Sequence, residues 1–200
     1  MKPKLNVCWS CVGTKKAASE IEYDKCASAA DWWWSNRLAD HKMRAIDLYD
    51  GPGFAQVRRT IAKLEEKYDV TSYILSAGFG IVHQDDMIAS YDATFSSSAK
   101  ENRVRKPEWK RWLTAVSEQK LPVGTVCIFP RSYADPYQAA FGNLDDMILI
   151  QGTAADRVDL GCSMIRVSTT LMERIVDNQI EENWDLEPID WKQLRGFEVL

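Results

Sequence analysis

Residues 73–95 read YILSAGFGIVHQDDMIASYDATF, a short apolar run that ends in two glycines and leads to an isolated Tyr-Asp pair. Tyr73, Ile74 and Leu75 have the pattern of a buried strand, and Gly78 and Gly80 allow a sharp turn or a close approach of backbone to a ligand. In open parallel α/β sheets, ligands collect outside the carboxyl ends of the strands. Ser76 to Gly80 and the loop holding Tyr91 and Asp92 are therefore the expected walls of a pocket.

The segments on either side repeat this strand-then-loop pattern. Leu5 to Trp9 reads as a first strand, followed directly by the loop SCVGTKK over Ser10 to Lys16. Ala27 to Ile46 is compatible with a helix and carries Trp32, Trp33 and Trp34 in a row. Successive helical residues point about 100° apart, so at least one of these rings is expected to reach a cleft, a partner or solvent. Asp47 to Phe54, DLYDGPGF, reads as a turn, and Phe54, Val57, Ile61, Leu64 and Tyr68 recur at helical spacing. After the polar run SSSAKEN, Pro107 suits the first turn of a helix bearing Trp109, Trp112, Leu113 and Val116. Val126 to Phe129 is a further strand, RSYADPYQAAF a short helix after a turn, and Met147 to Ile150 one more buried strand. Strands near 5, 73, 126 and 147 with helices between most of them predict an α/β fold with a mainly parallel central sheet flanked by helices, in a single domain.

A chain of 200 residues with 46% hydrophobic and 27% charged content suffices for one well-buried core. No segment approaches the roughly 18 consecutive apolar residues of a membrane span, and the apolar run near the N-terminus is short for a secretory signal. A soluble, cytoplasmic protein is the expectation. Cys8, Cys11, Cys26, Cys127 and Cys162 are an odd number without a framework, which favours reduced thiols. The net charge of -4 argues against a protein that coats nucleic acid indiscriminately, but the charge is unevenly placed. Lys100 to Lys120 holds seven basic residues against three acidic ones, and Glu173 to Asp190 reverses the balance, with seven acids against Arg174 alone. A local basic face suits phosphates, and the acidic segment favours solubility.

Cys8 and Cys11 form a single CxxC with no second pair, and His41 and His83 are far apart in sequence. A bland strand-end pair therefore outweighs a zinc or thiol-disulfide centre, and neither a metal nor a cofactor is expected. A Ser-His-Asp or Cys-His triad would require long-range assembly. SCVGTKK lacks the GxxxxGK[ST] pattern of a phosphate loop, which argues against a nucleoside triphosphatase. Ser10, Cys11 and Lys15 nevertheless stand just beyond a strand, where hydroxyl, thiol and ammonium groups can read a polar ligand; a solvated loop is the competing reading. Asp92, in a loop that Tyr91 and Ile88 can anchor, has the chemistry of a base or of a stabiliser of positive charge. A capping or turn aspartate is the alternative.

In order and spacing, SCVGTKK, DLYDGPGF and YILSAGFGIVHQDDMIASYDATF together resemble the DUF6884 group and, more distantly, the YaaA peroxide-stress family. The resemblance rests on Cys11, Lys15, Asp47, Leu48, Tyr49, Phe54, Leu75, Ser76, Ala77, Gly80, Tyr91, Asp92 and Thr94, about the first half of the chain. One departure is that Cys11 is followed by Val12 and preceded by Ser10, where the family pattern has serine immediately after cysteine.

The resemblance implies a compact fold related to uracil-DNA-glycosylase-like domains, which handle bases or base-modified nucleic acid. The function expected from it is a DNA glycosylase that hydrolyses the N-glycosidic bond of a modified base, such as a hypermodified base of phage DNA, in antiviral defence. Asp92 would be catalytic. Ser10, Cys11, Lys15, Tyr49, Ser76, Phe79 and Tyr91 would hold the base, with Tyr49 and Phe79 as aromatic walls. Arg103, Arg105, Lys106, Lys110 and Arg111 would track the DNA backbone, and Trp109 or Trp112 would stack on a base. For these two tryptophans, core packing at i,i+3 spacing is the alternative. Two other functions fit the same residues: a non-enzymatic DNA-binding protein of stress protection, and an enzyme acting on free modified nucleosides.

Overall fold

A computed structural model of the chain describes residues 2, 4–96, 99–142 and 148–149. The acidic segment 173–190, Cys162 and the ends of the strand expected at 147–150 lie outside the described residues. The central sheet holds β1 (Lys4–Ser10), β4 (Asp69–Ser76), β5 (Gly80–His83), β8 (Val126–Ile128) and β9 (Ile148–Leu149), in the order β5-β4-β1-β8-β9. β1 pairs in parallel with β4 and with β8, and β8 in parallel with β9; only β5 is antiparallel, folded back on β4. The sheet is therefore mixed and mostly parallel. Its inner strands are apolar because both faces are covered: Val7, Cys8, Trp9, Ile74, Leu75, Val126, Cys127 and Ile128 are fully buried. Trp9, the bulkiest of them, satisfies its indole N–H on Ser72 Oγ at 3.1 Å.

From β1 the chain crosses to β4 through α1 (Ala29–Leu38), α2 (Ala45–Leu48) and α3 (Pro52–Lys67). It then passes to the other side of β1, through α4 (Trp109–Val116) to β8 and through α5 (Arg131–Phe141) to β9. Right-handed crossovers in opposite directions put α3 and α5 on opposite faces and make the carboxyl end of β1 a topological switch point. Two small ribbons flank that end: β2 (Ile21–Glu22) parallel to β7 (Tyr91–Asp92), and β3 (Lys42–Arg44) antiparallel to β6 (Met87–Ala89).

Some boundaries differ from the sequence expectation. The helix expected over 27–46 stops at Leu38, because Ala39 turns to extended backbone and Lys42–Arg44 is drawn into the ribbon with β6. Ser28 caps its start, accepting from Asp31 N at 3.2 Å. The three tryptophans divide as the 100° rotation requires: Trp32 is buried, Trp33 half-buried and Trp34 59% exposed. The turn expected over 47–54 begins inside the single helical turn of α2, and Pro52 opens α3.

The two glycines of the opening stretch are needed, though for internal packing. A Cβ on Gly78 would lie 2.7 Å from both the Trp32 and Tyr91 rings. Gly80 has φ +65°, and a Cβ there would meet Ser117 Oγ at 1.8 Å. The space these residues open is filled by the protein's own side chains. Gly78→Ala is expected to lower stability by about 1–3 kcal/mol, because two buried rings must move. Chemical denaturation of the variant, compared with the parent chain, measures this.

Candidate functional site

The carboxyl ends of β1 and β4 are joined by a network of hydroxyl groups. Cys11 N donates to Leu75 O at 3.0 Å, extending the ladder one residue past β1. Ser76, the last residue of β4, accepts from Gly78 N at 3.2 Å and from Phe79 N at 3.0 Å. Both lone pairs of its oxygen are then used, so its own proton goes to the Tyr91 hydroxyl, 2.7 Å away. Tyr91 passes its proton to Cys11 Sγ at 3.5 Å, which leaves the Tyr49 hydroxyl, at 2.8 Å, to donate to Tyr91. Tyr133, in the first turn of α5, completes the group with its hydroxyl 3.0 Å from Cys11 Sγ. Burial first, and then the proximity of Cys11, hold the Tyr49, Tyr91 and Tyr133 hydroxyls well above the ordinary tyrosine range.

Lys15 lies over this floor. Its backbone is tied down by a bridge to Tyr49, by Lys16 N donating to Leu48 O and by Asp50 N donating to Thr14 O, both at 3.0 Å. Its ammonium stands 4.3 Å from the centroid of the Tyr91 ring and 3.4 Å from Gly13 O. Burial pulls the Lys15 pKa down, partly opposed by Cys11 and Asp92. Tyr91 and Asp92 are successive residues of β7, so the phenol points in and the carboxylate points out to solvent. Asp92 Oδ2 accepts from Asn102 Nδ2 at 2.8 Å, and Asn102 is held in turn by two bonds with Asp24. Asn102 is the single non-glycine residue with positive φ among the described residues, at 52°, a conformation asparagine tolerates better than most.

The basic segment starts at this clamp. Thr94 N donates to Asn102 O and Val104 N to Thr94 O, each at 2.9 Å, so residues 102–104 run beside the strand that carries Asp92. Arg103, Arg105 and Arg111 then line a cleft of about 530 Å³ with Tyr23, Glu108 and Trp112. Glu108 accepts from the Tyr23 hydroxyl at 3.2 Å and pairs with Arg111 at 3.6 Å. Burial and the Glu108 charge push the Tyr23 hydroxyl up to about 12. Lys106 and Lys110 are exposed, with the Lys106 ammonium 5.9 Å from the Trp109 ring centroid.

Several expected roles do not fit these positions. Tyr49, Ser76, Phe79 and Tyr91 are fully buried, so they form a floor under the site and leave no aromatic wall open to a base. Trp109 and Trp112 of α4 are mostly buried in the core, with their indoles donating to Val104 O and Ala77 O, both at 2.9 Å; of the two, Trp112 also contributes to the lining of the cleft. Ser10 is buried, and its hydroxyl has no hydrogen-bond partner among the described residues. Cys8 lies within β1 opposite Cys127, and Cys11 is past the strand end, so the CxxC spans two environments. No three His, Cys, Asp or Glu side chains come together as a metal site among the described residues. Tyr133 and Asn102 were not singled out from the sequence. A helix that starts directly after β8 brings its first turn to the same sheet end, and that was the available signal for Tyr133.

Fold and site together define an α/β protein with a polar cluster at the switch point of its sheet and an arginine-lined cleft beside it. Residues 35–142 match the family described as Family of unknown function (DUF6884), and the chain belongs to that family. The matched span includes Tyr49, Ser76, Tyr91, Asp92, Asn102, Tyr133 and the arginines of the cleft; Cys11 and Lys15 precede it. Comparison with curated proteins gives no match. No helix among the described residues is long and apolar enough to cross a membrane.

Raised tyrosine pKa values have a consequence for stability. The stabilisation is complete below the unfolded tyrosine value of about 10 and is lost as pH rises through it toward the folded values. In an alkaline titration followed by tyrosinate absorbance, Tyr49, Tyr91 and Tyr133 are expected to ionise only together with loss of circular dichroism. Ionisation of all seven tyrosines near the ordinary value in a folded protein would contradict the network.

Proposed function

We propose that this chain is a DNA glycosylase that hydrolyses the N-glycosidic bond of a modified base, a bulky or hypermodified one such as occurs in phage DNA, and that it acts in antiviral defence. The fold kinship proposed with it is to uracil-DNA-glycosylase-like domains and, more distantly, to the YaaA family. One observation carries the reading: Asp92 is a solvent-facing carboxylate locked by Asn102, its charge reaches Lys15, and Asn102 is bonded in turn to Asp24 of the arginine-lined cleft.

A glycosylase must extrude its nucleotide, hold the phosphates and stabilise a sugar with oxocarbenium character. Arg103, Arg105 and Arg111 of the cleft, with Lys106 and Lys110 on the adjoining surface, supply cations for the phosphates. Asp92, fixed in orientation, offsets positive charge at the sugar and orients the attacking water. Lys15, over the hydroxyl floor, faces the departing base and favours the negative charge it acquires. The buried residues below contribute rigidity, since a carboxylate placed by a locked strand keeps its geometry through the reaction.

The test is incubation with DNA containing normal, damaged and phage-type modified bases, with mass spectrometry of the free bases and assay of abasic sites. Release of one modified base is expected, and Asp92→Asn is expected to cut turnover about a hundredfold or more while DNA binding persists. Equal turnover in that variant removes Asp92 from the mechanism. Salt-dependent binding with no base release from any substrate points instead to a DNA-binding protein, and release from free nucleosides alone points to a nucleoside enzyme.

A further inference from the structure

The chemistry of Lys15 is not exhausted by contact with a leaving base. Its ammonium makes no ion pair within 4.0 Å among the described residues, although Asp92 is close enough for its charge to act on it. The remaining contacts are the face of Tyr91 and the Gly13 carbonyl. The side chain is partly buried, and its backbone is fixed by the Tyr49 bridge and by the bonds of its neighbours Thr14 and Lys16. A lysine kept for charge alone gains from a salt bridge in water. One held on an aromatic face, partly desolvated and within electrostatic reach of a carboxylate, has the surroundings of an amine that works as a nucleophile.

We propose that Lys15 is the nucleophile of a second activity, strand cleavage at abasic sites, and that its substrate is the open-chain aldehyde of an abasic deoxyribose. The Lys15 amine adds to C1′ and water leaves, forming an imine between C1′ and Nζ. Asp92 takes the proton from C2′. The C3′–O3′ bond breaks, and the 3′ phosphate departs with its electron pair. Water then hydrolyses the imine, returning the amine and releasing an unsaturated aldehyde on the 5′ side of the break. Atoms and charge balance without an oxidant or a cofactor. The depressed Lys15 pKa agrees with this role, since only the neutral amine attacks a carbonyl carbon.

The activity would consume the product of the base release proposed above, so it rests on that reading for its place in the cell, but it is tested separately. The probe is a duplex oligonucleotide with a preformed abasic site, mixed with the full chain and borohydride, which reduces an imine to a stable amine. A covalent protein-DNA adduct is expected, with peptide mapping of the wild-type adduct placing the sugar on Lys15. Lys15→Ala and Lys15→Arg are expected to lose at least nine-tenths of the adduct, roughly a tenfold effect, with circular dichroism matching the parent. Lys67→Ala, at the far end of α3, is expected to keep it. No wild-type adduct, or an adduct mapped to another amine, or one undiminished in folded Lys15→Ala, would overturn the proposal. Because the abasic site is supplied, failure here leaves base release standing, and failure of base release leaves this result standing.

Discussion

Ordering of the site depends on the Tyr91 hydroxyl. It accepts from Ser76 and Tyr49 and donates to Cys11, so one oxygen joins the ends of β1 and β4, the segment after α2, and β7. None of these groups can turn to water, because Ser76, Tyr49 and Tyr91 are fully buried. Loss of one member leaves the others short of a partner in a medium where an unsatisfied hydroxyl is costly. The aromatic body of Tyr91 has a matching role, with Trp32, Phe79 and Tyr49 rings packed around it at centroid distances of 5.2–6.4 Å. Gly78 is glycine because these rings occupy the space a side chain would need.

This arrangement separates support from reactivity. Below are the hydroxyls and rings, dry and fixed. Above are the groups that water and a ligand can meet: Lys15 on the Tyr91 ring, Asp92 on the outward side of the same strand, and the arginines whose segment is pinned through Asn102 and Thr94. The alternation of a two-residue strand does much of this work, since it sends adjacent side chains to opposite sides. A carboxylate so held would have little freedom to lose on binding the substrate proposed above.

The parts of this fold that were legible in the sequence are those governed by short-range pattern. Apolar runs located β1, β4 and β8, helical spacing located α3 and α4, and glycines after Leu75 marked the turn. What the pattern could not carry was the identity of the neighbour. Gly78 reads from sequence as a sharp turn or a close approach to a ligand, and only the path of α1 across the sheet end shows that the room goes to the Trp32 and Tyr91 rings. Trp109 and Trp112 read from sequence as stacking groups or, at i,i+3 spacing, as core, and their burial shows the packing that the spacing alone could not. Ser10 and Ser76 are the last residues of β1 and β4, and an apolar run that ends in serine marks the sheet end but says nothing of depth, where both are buried. Tyr133 comes from a segment more than a hundred residues beyond Cys11, so its role depends on the order of strands in the sheet, a property no local window contains.

A double-mutant cycle between Ser76 and Tyr91, read by denaturant unfolding, tests the central claim most directly. Ser76→Ala and Tyr91→Phe each break the same network, so the double variant should be less destabilised than the two single losses combined, with a coupling of about 1 kcal/mol or more. Additive losses would mean that the two hydroxyls act independently, and the Tyr91 hydroxyl would not be the link that orders the site.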